Sequence, residues 1–138
     1  MTLDELRKYK NLQRSIRYWK KELAILKSAS YTKSPQMTGM PGAGKLPDPT
    51  AERALKEEKV MARLELMVSE QQREADRIME WILSIEDPMI QTLMHARYIK
   101  GKSWTSVAHI LGGYNTAESV RQMHSRYLSH LSQDSRLK

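Results

Sequence analysis

Residues Lys102 to Leu131 decide the fold, and they read KSWTSVAHILGGYNTAESVRQMHSRYLSHL. Ser103 stands where a helix N-cap belongs, directly before a run with helical spacing. The apolar residues of that run are Trp104, Val107, Ala108 and Leu111. Gly112 and Gly113 then end the helix, because glycine adopts a left-handed conformation without steric cost. This pattern predicts a short helix followed by a sharp turn.

A second helix follows the glycine turn. It begins at Asn115 or Thr116, since either side chain can accept a hydrogen bond from a first-turn amide. Glu118 lies three residues after Asn115, the spacing of a capping box. The apolar side of this helix consists of Ala117, Val120, Met123, Tyr127, Leu128 and Leu131. Two helices joined by a tight glycine turn form a helix-turn-helix.

The opposite side of the second helix is polar. Its members are Glu118, Ser119, Arg121, Gln122, Ser125, Arg126 and Ser129. Arginine and glutamine side chains donate hydrogen bonds to base edges in the major groove or to phosphates. The pattern therefore predicts that helix 116–131 reads double-stranded DNA. The alternative is a solvated face of an ordinary bundle helix, because helical hairpins also occur in proteins that never contact DNA.

The run TAESVRQMHSRYL at 116–128 resembles the recognition helix in the fourth conserved region of the primary bacterial sigma factors. The Arg-Tyr pair at 97–98 and the helix at 104–111 match the opening and scaffold helices of that region. The resemblance implies promoter contacts by Thr116, Glu118, Ser119, Arg121 and Gln122. That family usually carries a basic residue where this chain has Ala117, so the resemblance implies one contact fewer here.

The whole chain resembles the small phage transcriptional regulators of the ArpU and RinA type. The resemblance rests on the order of its segments: a charged N-terminal helix, a Pro/Gly linker carrying DPTAER, a long helix, then RYIKGKSW, VAHILG and the final helix. It implies an activator of late phage genes that acts in the cytoplasm of a bacterial host.

The positive net charge of the chain favours a polyanionic partner. The 138 residues carry a formal net charge of +7 and a pI near 9.7, and phosphate neutralisation supplies much of the affinity of such proteins for DNA. Lys100, Lys102 and Arg126 are expected to contact phosphates. Residues 1–33 hold nine Lys or Arg against three acids, whereas residues 34–85 hold seven against nine. The N-terminal basic helix can therefore flank the DNA site or pair with the acidic middle helix.

Nothing in the sequence predicts an enzyme, a cofactor or a metal site. The chain has no cysteine, which excludes disulfides and thiolate ligands. The four histidines are scattered without metal-ligand spacing and are expected to cap helices or lie at the surface. Residues 39–45 have P-loop spacing, but Leu46 replaces the Ser or Thr that binds magnesium and no strand precedes them. No apolar run is long enough to cross a bilayer.

Two segments before residue 86 show seven-residue apolar periodicity, which is typical of coiled coils. The rows in residues 1–28 are Tyr9, Ile16, Leu23 and Leu12, Trp19, Leu26; those in residues 49–85 are Ala54, Met61, Val68, Ala75, Ile82 and Leu64, Ile78, Ile85. Asp48 and Pro49 suit the start of the second helix. Trp81 lies off these rows, which suggests a second contact surface or packing against the C-terminal helices.

These patterns together predict an all-α protein. We expect a basic N-terminal helix at 1–28, a flexible Pro/Gly linker at 29–48, a long coiled-coil-like helix at 49–85 and a helix-turn-helix DNA-binding domain at 86–138. The two long helices would form a helical hairpin or dimerising coil, giving a homodimer or higher homo-oligomer. Two further functions stay open: a DNA-packaging subunit of the small-terminase kind, and a sigma-like module that binds RNA polymerase.

Overall fold

The structure is a computed structural model that describes residues 1–32 and 49–137. All its secondary structure in those ranges is helical, which confirms the all-α prediction. The elements are α1 (Leu3–Thr32), α2 (Pro49–Leu83), α3 (Pro88–Met94) with a π-helical continuation (His95–Ile99), α4 (Trp104–Leu111) and α5 (Ala117–Leu137). None of the described helices is long and apolar enough to span a membrane. The predicted Asp48 cap and the P-loop-like run lie outside the described residues.

The start and end of α4 follow the sequence prediction. The Ser106 amide donates to the Ser103 hydroxyl over 3.2 Å, so Ser103 is the N-cap. The helix ends at Gly112, whose φ of 70° and ψ of −164° lie in a region that essentially only glycine occupies. Gly113 also has a positive φ, of 65°. The glycine pair therefore sets the turn between α4 and α5.

Thr116, one of the two predicted candidates, is the N-cap of α5. Ser119 and Thr116 form a reciprocal pair: the Ser119 amide donates to Thr116 Oγ1 (3.1 Å) and the Thr116 amide donates to Ser119 Oγ (2.8 Å). Asn115 instead turns back and donates to the Gly112 carbonyl over 2.8 Å. The capping box predicted between Asn115 and Glu118 is wrong, because the Asn115 side chain is used to satisfy the end of α4.

The chain divides into two compact units, and the first contains residues 1–12 and 71–138. Its apolar core is not confined to the helices after residue 86. The core residues are Leu6, Tyr9, Ile78, Ile82, Ile85, Ile90, Leu93, Met94, Ala96, Tyr98, Val107, Ala108, Val120 and Leu128. Short helices alone bury too little apolar surface for a stable domain. The first turns of α1 and the last turns of α2 therefore complete the core beneath the helix-turn-helix.

Polar and aromatic contacts reinforce this first unit. Arg77 of α2 forms an ion pair with Glu5 of α1, and the hydrogen bond from Arg77 holds the pKa of Glu5 below its ordinary value. The half-buried Trp81 ring lies 6.4 Å from the Tyr127 ring of α5. Of the two roles considered for Trp81, packing against the C-terminal helices is the one observed.

The second unit contains residues 13–70. Its buried apolar side chains are Ile16 of α1 with Leu64 and Met67 of α2. Trp19 borders an apolar cavity of about 160 Å³ together with Lys59, Val60 and Arg63. This part of α1 thus packs on α2 of the same chain.

The predicted heptad row of α2 is only partly buried. Ile82 is buried and Ala75 is half-buried, but Met61 and Val68 are 40% and 41% exposed. A single helix covers only one side of its neighbour, and α1 covers the side that carries Leu64 and Met67. The other apolar residues of α2 in the second unit are left at the surface.

Replacing Gly112 with alanine is expected to destabilise the protein by about 1 to 3 kcal/mol. An added Cβ would meet no atom within 4 Å, so the cost comes from the backbone conformation and not from a clash. Chemical denaturation followed by circular dichroism measures the change. Gly113→Asn serves as the control and should cost less, because asparagine tolerates positive φ. Equal stability of Gly112→Ala and the parent would contradict this account of the turn.

Candidate DNA interface

The exposed side of α5 forms a continuous polar ridge. We define the polar ridge as Glu118, Arg121, Gln122, Ser125, Arg126 and Ser129, all of which are exposed. The opposite side is closed by Val120, His124 and Leu128, which are at most 7% exposed. Because 3.6 residues make one helical turn, Arg121 and Arg126 lie on the two flanks of the ridge and Gln122 and Ser125 near its centre. Burial of one side of α5 thus fixes which residues face solvent.

The ridge carries both signs of charge. Arg121 Nη1 lies 3.6 Å from Glu118 Oε2, and both side chains are more than half exposed. Such an exposed pair contributes little to stability, so the arginine is able to exchange this partner for a base or phosphate. Arginine bonds to guanine and glutamine to adenine, while a glutamate accepts from the cytosine amino group. The ridge therefore offers both donors and acceptors suited to base edges.

Two of the predicted contact residues are already engaged in the protein. The Thr116 and Ser119 hydroxyls bond to each other's backbone amides, and Ser119 Oγ also donates to the Thr116 carbonyl over 3.0 Å. Ser119 is half-buried, whereas Thr116 is exposed. Their role in the folded chain is to begin α5 and to set the orientation of the residues that follow.

The two lysines predicted to hold phosphates precede α4. Lys100 and Lys102 are exposed and flank Gly101, whose φ is 66°. The Lys102 backbone carbonyl accepts a hydrogen bond from Arg97 Nη1 over 3.0 Å, and its amide donates to the Ala96 carbonyl over the same distance. The backbone of this connection is therefore fixed while its ammonium groups extend into solvent.

A polar cluster lies beneath the polar ridge, with Tyr98 and His124 buried and Arg97 and Trp104 half-buried. We call Arg97, Tyr98, Trp104 and His124 the anchor cluster. The Tyr98 hydroxyl and His124 Nε2 are 2.5 Å apart, and the His124 ring packs edge-on against Trp104 with centroids 4.9 Å apart. The Arg97 guanidinium lies 4.1 Å above the Trp104 ring, within cation–π range. The cluster joins the π-helical turn, α4 and α5.

The anchor cluster holds its histidine neutral. Burial lowers the pKa of His124 to about 4, with further lowering by the positive charges of Arg97, Lys10 and Arg7. Burial also raises the pKa of Tyr98 to about 12. At neutral pH the two side chains therefore share a hydrogen bond between uncharged groups, which is the form that a low-dielectric site favours.

The burial of His124 contradicts the expectation that the histidines cap helices or lie at the surface. The sequence contained a signal for it, because His124 lies four residues after Val120 and four before Leu128, which places it on the apolar side of the helix. The π-helical turn had no such signal. By inserting one wide turn after α3, it directs Arg97 and Tyr98 towards Trp104 and His124.

The described residues contain no group of three or more His, Asp or Glu side chains placed to hold a metal ion. The candidate site is a solvent-facing ridge of charged and hydrogen-bonding side chains. Comparison of the chain with protein-family models, curated proteins and solved structures gives no match.

Proposed function

We propose that this protein binds double-stranded DNA in a sequence-specific manner and regulates transcription, as an activator of late phage genes in the bacterial cytoplasm. The observation that carries the proposal is the polar ridge: α5 exposes Arg121, Gln122 and Arg126 along one side while its other side is buried in the core. An α-helix with such a face fits the major groove.

Each part of the interface has a separate role in this proposal. Arg121 and Gln122 contact base edges, and Glu118 accepts from a cytosine or excludes other bases by repulsion. Arg126, Lys100 and Lys102 hold phosphates and supply sequence-independent affinity. The anchor cluster keeps α5 at a fixed angle on α4, so that the contacts are made in one register.

A homodimer or higher homo-oligomer follows naturally from this mode of binding. Two recognition helices related by symmetry contact two half-sites about one helical turn of DNA apart. RNA polymerase is the partner through which a bound activator would act. DNA packaging and direct polymerase binding without DNA have no specific observation in their favour and become outcomes of the tests.

Arg121→Ala is expected to weaken binding to the cognate site by about 1 to 3 kcal/mol and to relax base preference at one position. The site is first found by selecting bound duplexes from a random pool at stated salt, and affinities are then measured by titration. Arg73→Ala is the matched control, because Arg73 is an exposed arginine on α2 and its loss changes the net charge equally.

Arg126→Ala should behave differently from Arg121→Ala. Loss of a phosphate contact weakens binding to all sequences about equally. It also reduces the slope of log K against log salt concentration by about one. If Arg121→Ala leaves both affinity and base preference unchanged, the polar ridge does not read DNA. Two results together would favour the polymerase-binding alternative. The parent chain would show no affinity for DNA, and its binding to RNA polymerase would survive replacement of both Arg121 and Gln122.

A further inference from the structure

The second unit carries an exposed stripe on α1 that alternates basic and apolar residues. Its members are Arg14, Tyr18, Lys21 and Ile25, and the two apolar ones are 57% and 60% exposed. At about 100° per residue, all four lie within about 40° of the point opposite the buried Ile16. The stripe therefore faces away from α2 of its own chain, and we call it the basic stripe.

A second exposed stripe lies on α2 and alternates acidic and apolar residues. We call it the acidic stripe; it consists of Ala54, Glu58, Met61, Glu65 and Val68, all exposed. They fall within an arc of about 80° on the helix. Ala54, Glu58, Met61 and Glu65 also line a surface groove. The glutamates thus run along an apolar surface that nothing in the described part of the unit covers.

The charges on both stripes have no partner within the described part of the chain. Arg14, Lys21, Glu58 and Glu65 take part in none of its ion pairs or side-chain hydrogen bonds. Each pair of like charges is separated by seven residues, or two helical turns. Opposite charges with the same repeat on two amphipathic faces are the pattern by which coiled-coil helices select partners.

The spacing of the two stripes matches when the helices run antiparallel. Along α1 the steps from residue 14 through 18 and 21 to 25 are four, three and four. Read backwards along α2, the steps from residue 65 through 61 and 58 to 54 are also four, three and four. This register pairs Arg14 with Glu65, Tyr18 with Met61, Lys21 with Glu58 and Ile25 with Ala54. In a parallel arrangement, pairing Arg14 with Glu58 and Lys21 with Glu65 would set the apolar Ile25 against the polar Ser69. The antiparallel register therefore gives the better match.

We propose that the occupant of each stripe is a second copy of this chain, with the basic stripe of one protomer packed antiparallel on the acidic stripe of the other. Each copy carries one stripe of each charge, so two identical copies offer complementary surfaces to each other. Complementary charge sets the register, and burial of Tyr18, Ile25 and Met61 supplies the affinity. This deepens the homo-oligomer of the proposed function, and its tests use no DNA, so the two can fail separately.

Charge reversal tests the pairing. The first variant is Glu58→Lys with Glu65→Lys, and the second is Arg14→Glu with Lys21→Glu. Each variant alone places like charges across both contacts, and its dimer dissociation constant should rise about 100-fold. An equimolar mixture of the two variants restores opposite charges at every pair and should dimerise to within about 10-fold of the parent. Analytical ultracentrifugation at low and high salt measures both.

The matched control is Glu52→Lys with Glu70→Lys, two exposed glutamates on a different side of α2. It changes the net charge by the same amount and should leave dimerisation within about threefold of the parent. Circular dichroism confirms that each variant is folded. A parent chain whose dimer dissociation constant exceeds about 1 mM, a charge-reversed variant that dimerises like the parent, or a mixture that stays monomeric would each overturn the proposal.

Cross-linking supplies a second test that does not depend on charge. Because the chain has no cysteine, Tyr18→Cys and Met61→Cys each introduce one thiol, and mixing the two variants reports only contacts between chains. Oxidation should give the mixed disulfide in yield well above that of Tyr18→Cys mixed with Glu70→Cys. Equal yields from the two mixtures would contradict the antiparallel register.

Discussion

Leu6→Ala is expected to lower the free energy of unfolding by about 2 to 5 kcal/mol and to loosen the helix-turn-helix more than 90 residues further along the chain. Leu6 has no exposed surface and belongs to the same core as Val107, Val120 and Leu128. Truncation removes buried methyl groups and leaves a cavity beneath the C-terminal helices. Denaturant unfolding measures the loss, and NMR signals of the Trp81 and Trp104 indoles report whether the C-terminal core has loosened.

Leu83→Ala is the matched control for Leu6→Ala. Leu83 is 65% exposed, although it belongs to the same unit, so the same chemical change should cost less than about 0.5 kcal/mol. If Leu6→Ala behaves like Leu83→Ala, the start of α1 does not support the core. The helices after residue 86 would then be stable without it.

Lowering the pH from 7 to 5 is expected to destabilise the protein by about 2 kcal/mol through His124 alone. Its pKa falls from 6.5 to about 4 on folding, so the unfolded chain binds the proton more readily. The stability due to neutral His124 is complete above pH 6.5 and is lost as the pH falls towards 4. Proton uptake would place a cation beside Arg97, Lys10 and Arg7, which already lower this pKa.

The contribution of His124 is isolated by comparing the pH dependence of variants. In His124→Leu the loss of stability between pH 7 and 5 should shrink by about 2 kcal/mol, even if the variant is less stable throughout. His130→Gln removes an exposed histidine from the same helix and should keep the parent's pH dependence. Glu5 does not disturb this comparison, because its pKa is lowered and its carboxylate keeps its charge between pH 7 and 5. If His124→Leu loses as much stability as the parent between pH 7 and 5, groups other than His124 cause the acid sensitivity.

These two predictions concern how the polar ridge is supported. Arg121 and Gln122 are held by the buried side of α5, and His124 lies on that side within one turn of both. A change that disorders the anchor cluster should therefore weaken DNA binding without touching a contact residue, because the ridge would lose its fixed orientation on α4. Binding measured on His124→Leu at pH 7 checks this expectation.

Much of the fold was predictable because its signals are local. Ser103 at the N-cap, the glycine pair at 112–113 and the 3.6-residue repeat after residue 116 each act within a few residues. The prediction of α5 as an amphipathic helix is confirmed for the same reason. For α5, Thr116 is the N-cap as one of the two predicted candidates, but the Asn115–Glu118 capping box was wrong. Three neighbouring side chains, Asn115, Thr116 and Ser119, compete for the same backbone groups, and their geometry decides between them.

The candidate site likewise has one part that the sequence predicted and one part that depends on tertiary packing. Which residues of α5 face solvent follows from periodicity, so the polar ridge was predictable. The anchor cluster was not, since Arg97 and Tyr98 meet Trp104 and His124 only because a π-helical turn and a chain reversal bring them together. The choice of Thr116 over Asn115 as the cap, and its pairing with Ser119, likewise depend on side-chain orientation, which the order of residues does not specify.

The amino-acid sequence by itself determined the helices, their ends and the polar side of α5, because hydrogen bonds and apolar periodicity act over one or two helical turns. Only the tertiary structure decided that Leu6 and Ile82 belong to the core beneath the helix-turn-helix, that His124 is buried, and that Met61 and Val68 are left exposed. Burial depends on which distant segments pack together, and a seven-residue repeat specifies an apolar face without specifying its partner.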